Sequence, residues 1–92
     1  MGIGKRFLER VAAKVDLVRL VGESVPLYRC GRIHRGPCPV RETEADTLEV
    51  HAAGFFFCPN CRREGDAVEW LMVTRHLSRS AAVRELRQRM DR

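Results

Sequence analysis

The sequence predicts a small α+β domain in which an antiparallel sheet of about four to five strands is flanked by N-terminal and C-terminal helices. Three observations lead there. Apolar residues recur at helical spacing near both ends of the chain. Short alternating runs bounded by turn residues fill the middle. Cys58-Pro59-Asn60-Cys61 stands directly behind Phe55-Phe56-Phe57 and is answered upstream by Cys38-Pro39. Two cysteines two residues apart turn both sulfurs toward one tetrahedral ion, and a second turn brought alongside by a sheet completes the coordination, which is the plan of a zinc ribbon.

From Arg6 onward, Leu8, Val11, Ala12 and Val15 keep helical spacing, and Asp16 is placed as the N-cap of a second short helix over Leu17–Val21, closed by Gly22. Val25 and Leu27 alternate with Pro26 and Tyr28. Gly31 offers a tight turn, and Ile33 to Pro37 returns as a second strand ending at Cys38. After the polar stretch Arg41 to Asp46, Leu48 and Val50 form a strand, Ala52-Ala53-Gly54 turns it, and Phe55-Phe56-Phe57 runs back to Cys58. Asp66 opens a helix carrying Ala67, Val68, Trp70, Leu71 and Met72. Ser78 caps a last helix whose buried side is Ala82, Val83, Leu86 and Met90. Repeats, linkers and low-complexity segments are lacking, so residues 1–92 are expected to form a single domain.

A chain of 92 residues removes only about 60–65% of its unfolded surface from water, so its core is marginal and a structural metal is a common remedy. No stretch approaches the roughly 20 apolar residues of a membrane span, and the N-terminus lacks the long apolar segment of a secretory signal. A cytoplasmic location without membrane association is expected. There four cysteines serve as metal ligands or free thiols rather than as disulfides. The net charge is +5 and uneven, with +5 on residues 1–40, −3 on 41–57 and +3 on 58–92. Arginine supplies 15 of the 17 basic residues, and its planar fork suits phosphate and stacks on bases. A solvated arginine-rich surface accounts for the same charge.

Cys38, Cys58 and Cys61 are the legible zinc ligands. The position three residues after Cys38 is Arg41, whose guanidinium stays protonated and cannot bind a metal. Cys30, His34, His51, Glu42, Glu44 or a water are the candidates for the fourth corner. A hairpin turning near Gly31 puts Cys30 far from Cys38, His34 is roughly 13 Å away if extended, and His51 sits at the opposite hairpin tip. A degenerate ribbon without metal, with Arg41 beside reactive thiols, is the competing reading.

Taken together these segments resemble the N-terminal zinc-binding domain of bacterial, DnaG-type DNA primases, over nearly the whole chain. The resemblance rests on Val15-Asp16-Leu17-Val18 followed by Val25-Pro26-Leu27, on Gly31, Gly36, Cys38 and Pro39, and on Phe55-Phe56-Phe57-Cys58-x2-Cys61. Gly65-Asp66-Ala67-Val68-Glu69-Trp70-Leu71-Met72 and then Leu77, Ala82, Val83 and Leu86 complete it. The family has Cys-Pro-x-His where this chain has Cys38-Pro39-Val40-Arg41. It also favours glycine on both sides of the last cysteine, where Asn60 and Arg62 stand here.

The resemblance implies one structural zinc ion and a role in choosing the single-stranded DNA template site at which an RNA primer starts during replication. It further implies a primase catalytic domain or a helicase as protein partner. The polymerase domain that joins nucleotides is separate in the family, so these residues alone are expected to be inactive in synthesis, and no catalytic residue is assigned. A single strand laid on the sheet would stack on Phe55 and Phe57 and meet Arg32, Arg35, Arg62 and Arg63. Core packing is the plainer use for the phenylalanines. The competing function is a zinc ribbon that binds a protein partner, and a redox-thiol protein is a third.

Overall fold

The computed structural model describes residues 15–41 and 45–90. In chain order these form α1 (Leu17–Gly22), β1 (Tyr28–Cys30), β2 (Ile33–Gly36), β3 (Leu48–His51), β4 (Phe55–Cys58), β5 (Arg63–Gly65), α2 (Ala67–Arg75) and α3 (Arg79–Met90). The five strands make one antiparallel meander in the order β1-β2-β3-β4-β5. The predicted helix through Leu8, Val11 and Ala12 lies outside the described residues.

Local chemistry explains most of the boundaries. The Asp16 carboxylate accepts a hydrogen bond from the Arg19 N–H at 3.2 Å and so caps α1. Leu17, Leu20 and Val21, spaced i, i+3 and i+4, are buried. Asp66 accepts from the Val68 and Glu69 N–H groups at 2.9 and 3.2 Å to start α2, which His76 ends in the left-handed region. The Ser78 hydroxyl accepts from Ala81 N at 3.2 Å at the start of α3.

Two strands depart from the sequence reading. The first begins at Tyr28 rather than Val25, because Val25 N–H is spent on the Val21 carbonyl at 2.9 Å and Pro26 has no N–H to give. The second ends at Gly36, where a side chain could not fit: a Cβ would lie 2.6 Å from the Pro26 carbonyl oxygen. β5 is an additional short strand, reached through Arg62 at φ 58°.

The sheet is two-sided by register. Leu48, Val50, Phe56 and Cys58 point inward and are buried. Trp70 and Leu71 of α2, Ala82, Val83 and Leu86 of α3, and the apolar side of α1 complete that core. Phe56 meets Trp70 edge-to-face with ring centroids 5.3 Å apart, a favoured aromatic geometry. All three described helices therefore contribute to one side of the sheet. Cys58, the last residue of the buried row, is thereby carried from the core to the sheet's end.

Candidate metal centre and sheet surface

The hairpin β3–β4 delivers Cys58 at its end, and the turn Pro59-Asn60 brings Cys61 back alongside. β2 delivers Cys38 two residues past Gly36. The three sulfurs all lie within 4.8 Å of one another. Sulfurs about 2.3 Å from a tetrahedral zinc would be about 3.8 Å apart, so the cluster needs little adjustment to hold one. The Cys58 side chain is fully buried, and Cys38 and Cys61 are partly so.

Each turn is held by hydrogen bonds to or beside the sulfurs. The Arg41 N–H donates to Cys38 Sγ at 3.2 Å, and the Thr47 hydroxyl lies 3.3 Å from Cys58 Sγ. The Asn60 side-chain amide, in the second turn, donates to the Arg41 carbonyl in the first at 3.1 Å. Burial opposes ionisation of Cys38, yet the N–H groups of Arg41 and Val40, the Asn60 amide and the Cys58 thiol outweigh it and lower the thiol from its ordinary 9.0 to about 7. At Cys61, burial and then the neighbouring sulfurs of Cys58 and Cys38 push the thiol up to about 11. Local donors thus favour a thiolate at Cys38, while burial and the neighbouring sulfurs oppose one at Cys61. Thiolates are soft donors that lose their protons as a metal ion binds. The donor set fits zinc.

Among the described residues neither an imidazole nor a fourth thiol joins the cluster, since only these three cysteines form a group of metal-binding donors. Cys30 faces Ile33 at the far tip of the β1–β2 hairpin. His34 lies within β2 opposite Val50. His51 stacks on Phe55 at 4.1 Å, at the hairpin tip away from Cys58. Glu42 and Glu44 lie outside the described residues.

The expected nucleic-acid residues divide into groups. Phe55, Phe57 and Arg35 share the outward side of the sheet, where Phe55 and Phe57 remain 46% and 38% exposed. Arg35 is within 3.8 Å of Glu49. Arg32 occupies the β1–β2 turn, at the Phe55 end of that side. Arg62 and Arg63 stand at the other end, beside Cys61. Arg63 opposes Cys58 and has the inward parity, although it is exposed on the edge strand. Sequence reasoning missed Tyr28, which opposes Arg35 on the outward side and is 48% exposed. A strand register, not a motif, was the signal needed to find it.

Comparison with known proteins decides the family. The family model of the DnaG zinc ribbon, described as the CHC2 zinc finger, matches residues 3–92. The chain belongs to the CHC2 zinc-finger family. CHC2 relatives include the DNA primase of Lactococcus lactis, 35% identical over 75 residues that cover 80% of this chain and 12% of the relative. The DNA primase of Myxococcus xanthus is 35% identical over 82 residues, covering 86% of this chain and 13% of its own length. That of Helicobacter pylori strain J99 is 26% identical over 88 residues, covering 95% and 16%. The chain thus spans less than a fifth of the length of these curated relatives. A crystal structure of the Aquifex aeolicus primase, comprising its zinc-binding and RNA polymerase domains, superposes with a TM-score of 0.83 at 24% identity. The match covers 90% of this chain and 21% of that one, and supports the shared fold. Among the described residues no helix is long and apolar enough to cross a membrane.

Proposed function

We propose that the 92 residues act as one zinc-binding, template-recognition module of a DNA primase. On this reading Cys38, Cys58 and Cys61 hold a single structural zinc ion, and the outward side of the sheet receives single-stranded DNA where an RNA primer is to start. When bound, the ion cross-links the two turns and adds its binding free energy to a small core. Polymerisation falls to a primase catalytic domain elsewhere, on a longer chain or a separate one, and the protein partner is that domain or a helicase.

The observation that carries this reading is the outward row of half-exposed rings, Tyr28, Phe55 and Phe57, in a member of the CHC2 family. A small domain normally buries such side chains, and rings on an open sheet are platforms for unpaired bases. On this reading Arg35 on that side and Arg32 at its end meet the phosphates of a strand crossing it, with Arg62 and Arg63, near Cys61, adding positive charge beyond the other end.

The test is fluorescence anisotropy of a labelled single-stranded oligonucleotide against the zinc-loaded protein between 50 and 200 mM salt. The reading expects binding whose logarithm falls linearly with the logarithm of salt, with a slope of about −0.7 per phosphate contacted. No binding at low salt would contradict it and favour a ribbon that docks a protein partner.

A further inference from the structure

One row of residues crosses all five strands on the outward side: Tyr28 opposes Arg35, Arg35 opposes Glu49, Glu49 opposes Phe57, and Phe57 opposes Glu64. Phe57 is therefore flanked on both neighbouring strands by carboxylates, with strands about 4.8 Å apart and facing Cβ atoms about 5 Å apart. These two carboxylates are not equivalent. Glu49 is drawn toward Arg35 at 3.8 Å. Glu64 is exposed on the edge strand, and no ion pair among the described residues engages it.

Carboxylates beside a stacking ring are poorly suited to phosphate, which they repel. They are well suited to the hydrogen-bond donors on a base edge, because an ionised carboxylate is acceptor-only with two oxygens. In a single strand the Watson–Crick edges are free to be read. Guanine offers two adjacent donors there, N1–H and the N2 amino group, which match both oxygens of one carboxylate. Cytosine and adenine offer one amino group each. Thymine offers one N–H between two carbonyls, which face a carboxylate unfavourably.

We propose that Phe57 and Glu64 form a base-reading subsite, in which a base stacks on the Phe57 ring and presents its donor edge to the Glu64 carboxylate, favouring guanine, then cytosine and adenine, over thymine. This deepens the single-strand reading and rests on it. Phe57 supplies sequence-tolerant stacking, and Glu64 determines specificity.

The test measures anisotropy of the zinc-loaded 92-residue protein with four 12-nucleotide oligothymidines whose central base is dG, dC, dA or dT. The expected result is about tenfold tighter binding of the central-dG strand than of the all-dT strand, the size of one good base contact. Glu64→Gln brings the four strands to within about twofold of one another. Phe57→Ala weakens all four together. Equal binding of the four strands by the unmodified protein overturns the subsite while leaving single-strand binding intact. Discrimination that survives Glu64→Gln overturns the role of Glu64. Failure of all four strands to bind overturns the single-strand reading and the subsite with it.

Discussion

The side-chain amide of Asn60 donates to the main-chain carbonyl of Arg41 at 3.1 Å, tying the second cysteine turn to the first across 19 residues. Both positions depart from the pattern that DnaG-type primases show, and they depart in contact with each other. A histidine at 41 would fasten the first turn to the ion itself. Here the Arg41 main chain still engages Cys38 Sγ, and Asn60 fastens it from the other side. Replacing Asn60 by alanine leaves the three sulfurs in place but frees the first turn. Residues that orient metal ligands typically contribute 10–100-fold to affinity, so Asn60→Ala is expected to bind zinc about tenfold more weakly in a chelator competition. Unchanged affinity would show that the clamp is incidental.

Arg41→His tests the same corner from the opposite direction. It supplies an imidazole three residues after Cys38, a spacing used by structural zinc turns. Zinc release to a chelator should slow at least tenfold relative to the parent protein, and a cobalt-substituted sample should keep its tetrahedral absorption bands with altered positions. Identical release rates would mean that position 41 does not face the ion.

The three consecutive phenylalanines should separate by parity. Phe56 is buried against Trp70, so Phe56→Ala should cost about 3–5 kcal/mol, much of the stability of a domain this size. Phe55→Ala and Phe57→Ala remove half-exposed rings and should leave the urea midpoint nearly unchanged while weakening single-strand binding by about 1–3 kcal/mol per stacked base. Denaturant titration and anisotropy on the same three variants check both halves.

This parity was legible in the sequence, as were the caps Asp16 and Asp66 and the cysteine turns, because each depends on residues close together in the chain. What was not legible depended on pairing. Arg63-Glu64-Gly65 has no apolar alternation and is a strand only because β4 offers it an edge. Tyr28 joins the aromatic side only through the register that sets it opposite Arg35. The distance of His51 from the cysteine turns was legible from its hairpin-tip position, whereas its stacking on Phe55 depended on the β3–β4 register. The start of β1 was misplaced because the alternation of Val25 and Leu27 concealed a proline with no N–H to donate.

Arg89 of α3 pairs with Glu23 at the end of α1 at 2.6 Å. The Arg89 hydrogen bond outweighs burial and, aided by the charges of Arg89, Arg75 and Arg19, lowers the Glu23 carboxyl below its ordinary 4.5. A depressed carboxyl binds fewer protons in the folded state than in the unfolded one, so its stabilisation is present above pH 4.5 and is lost as pH falls through the folded value. Glu23 is 44% exposed, which limits the contribution to about 0.5–1 kcal/mol after solvent screening. The difference in unfolding free energy between the parent and Glu23→Gln should hold constant above about pH 5.5 and close below 4.5. Acid loss of metal is common to both proteins and cancels in the difference. A gap that widens toward acid would contradict the assignment.

The account turns on whether Cys38, Cys58 and Cys61 hold zinc without a histidine at position 41. The most direct measurement is the metal content of the protein purified without added metal, by elemental mass spectrometry, beside Cys58→Ser. The account predicts about one zinc per chain in the parent and a near-complete loss in the variant, as expected when one of three thiolate ligands is removed. A parent protein that is folded and carries no zinc would contradict it.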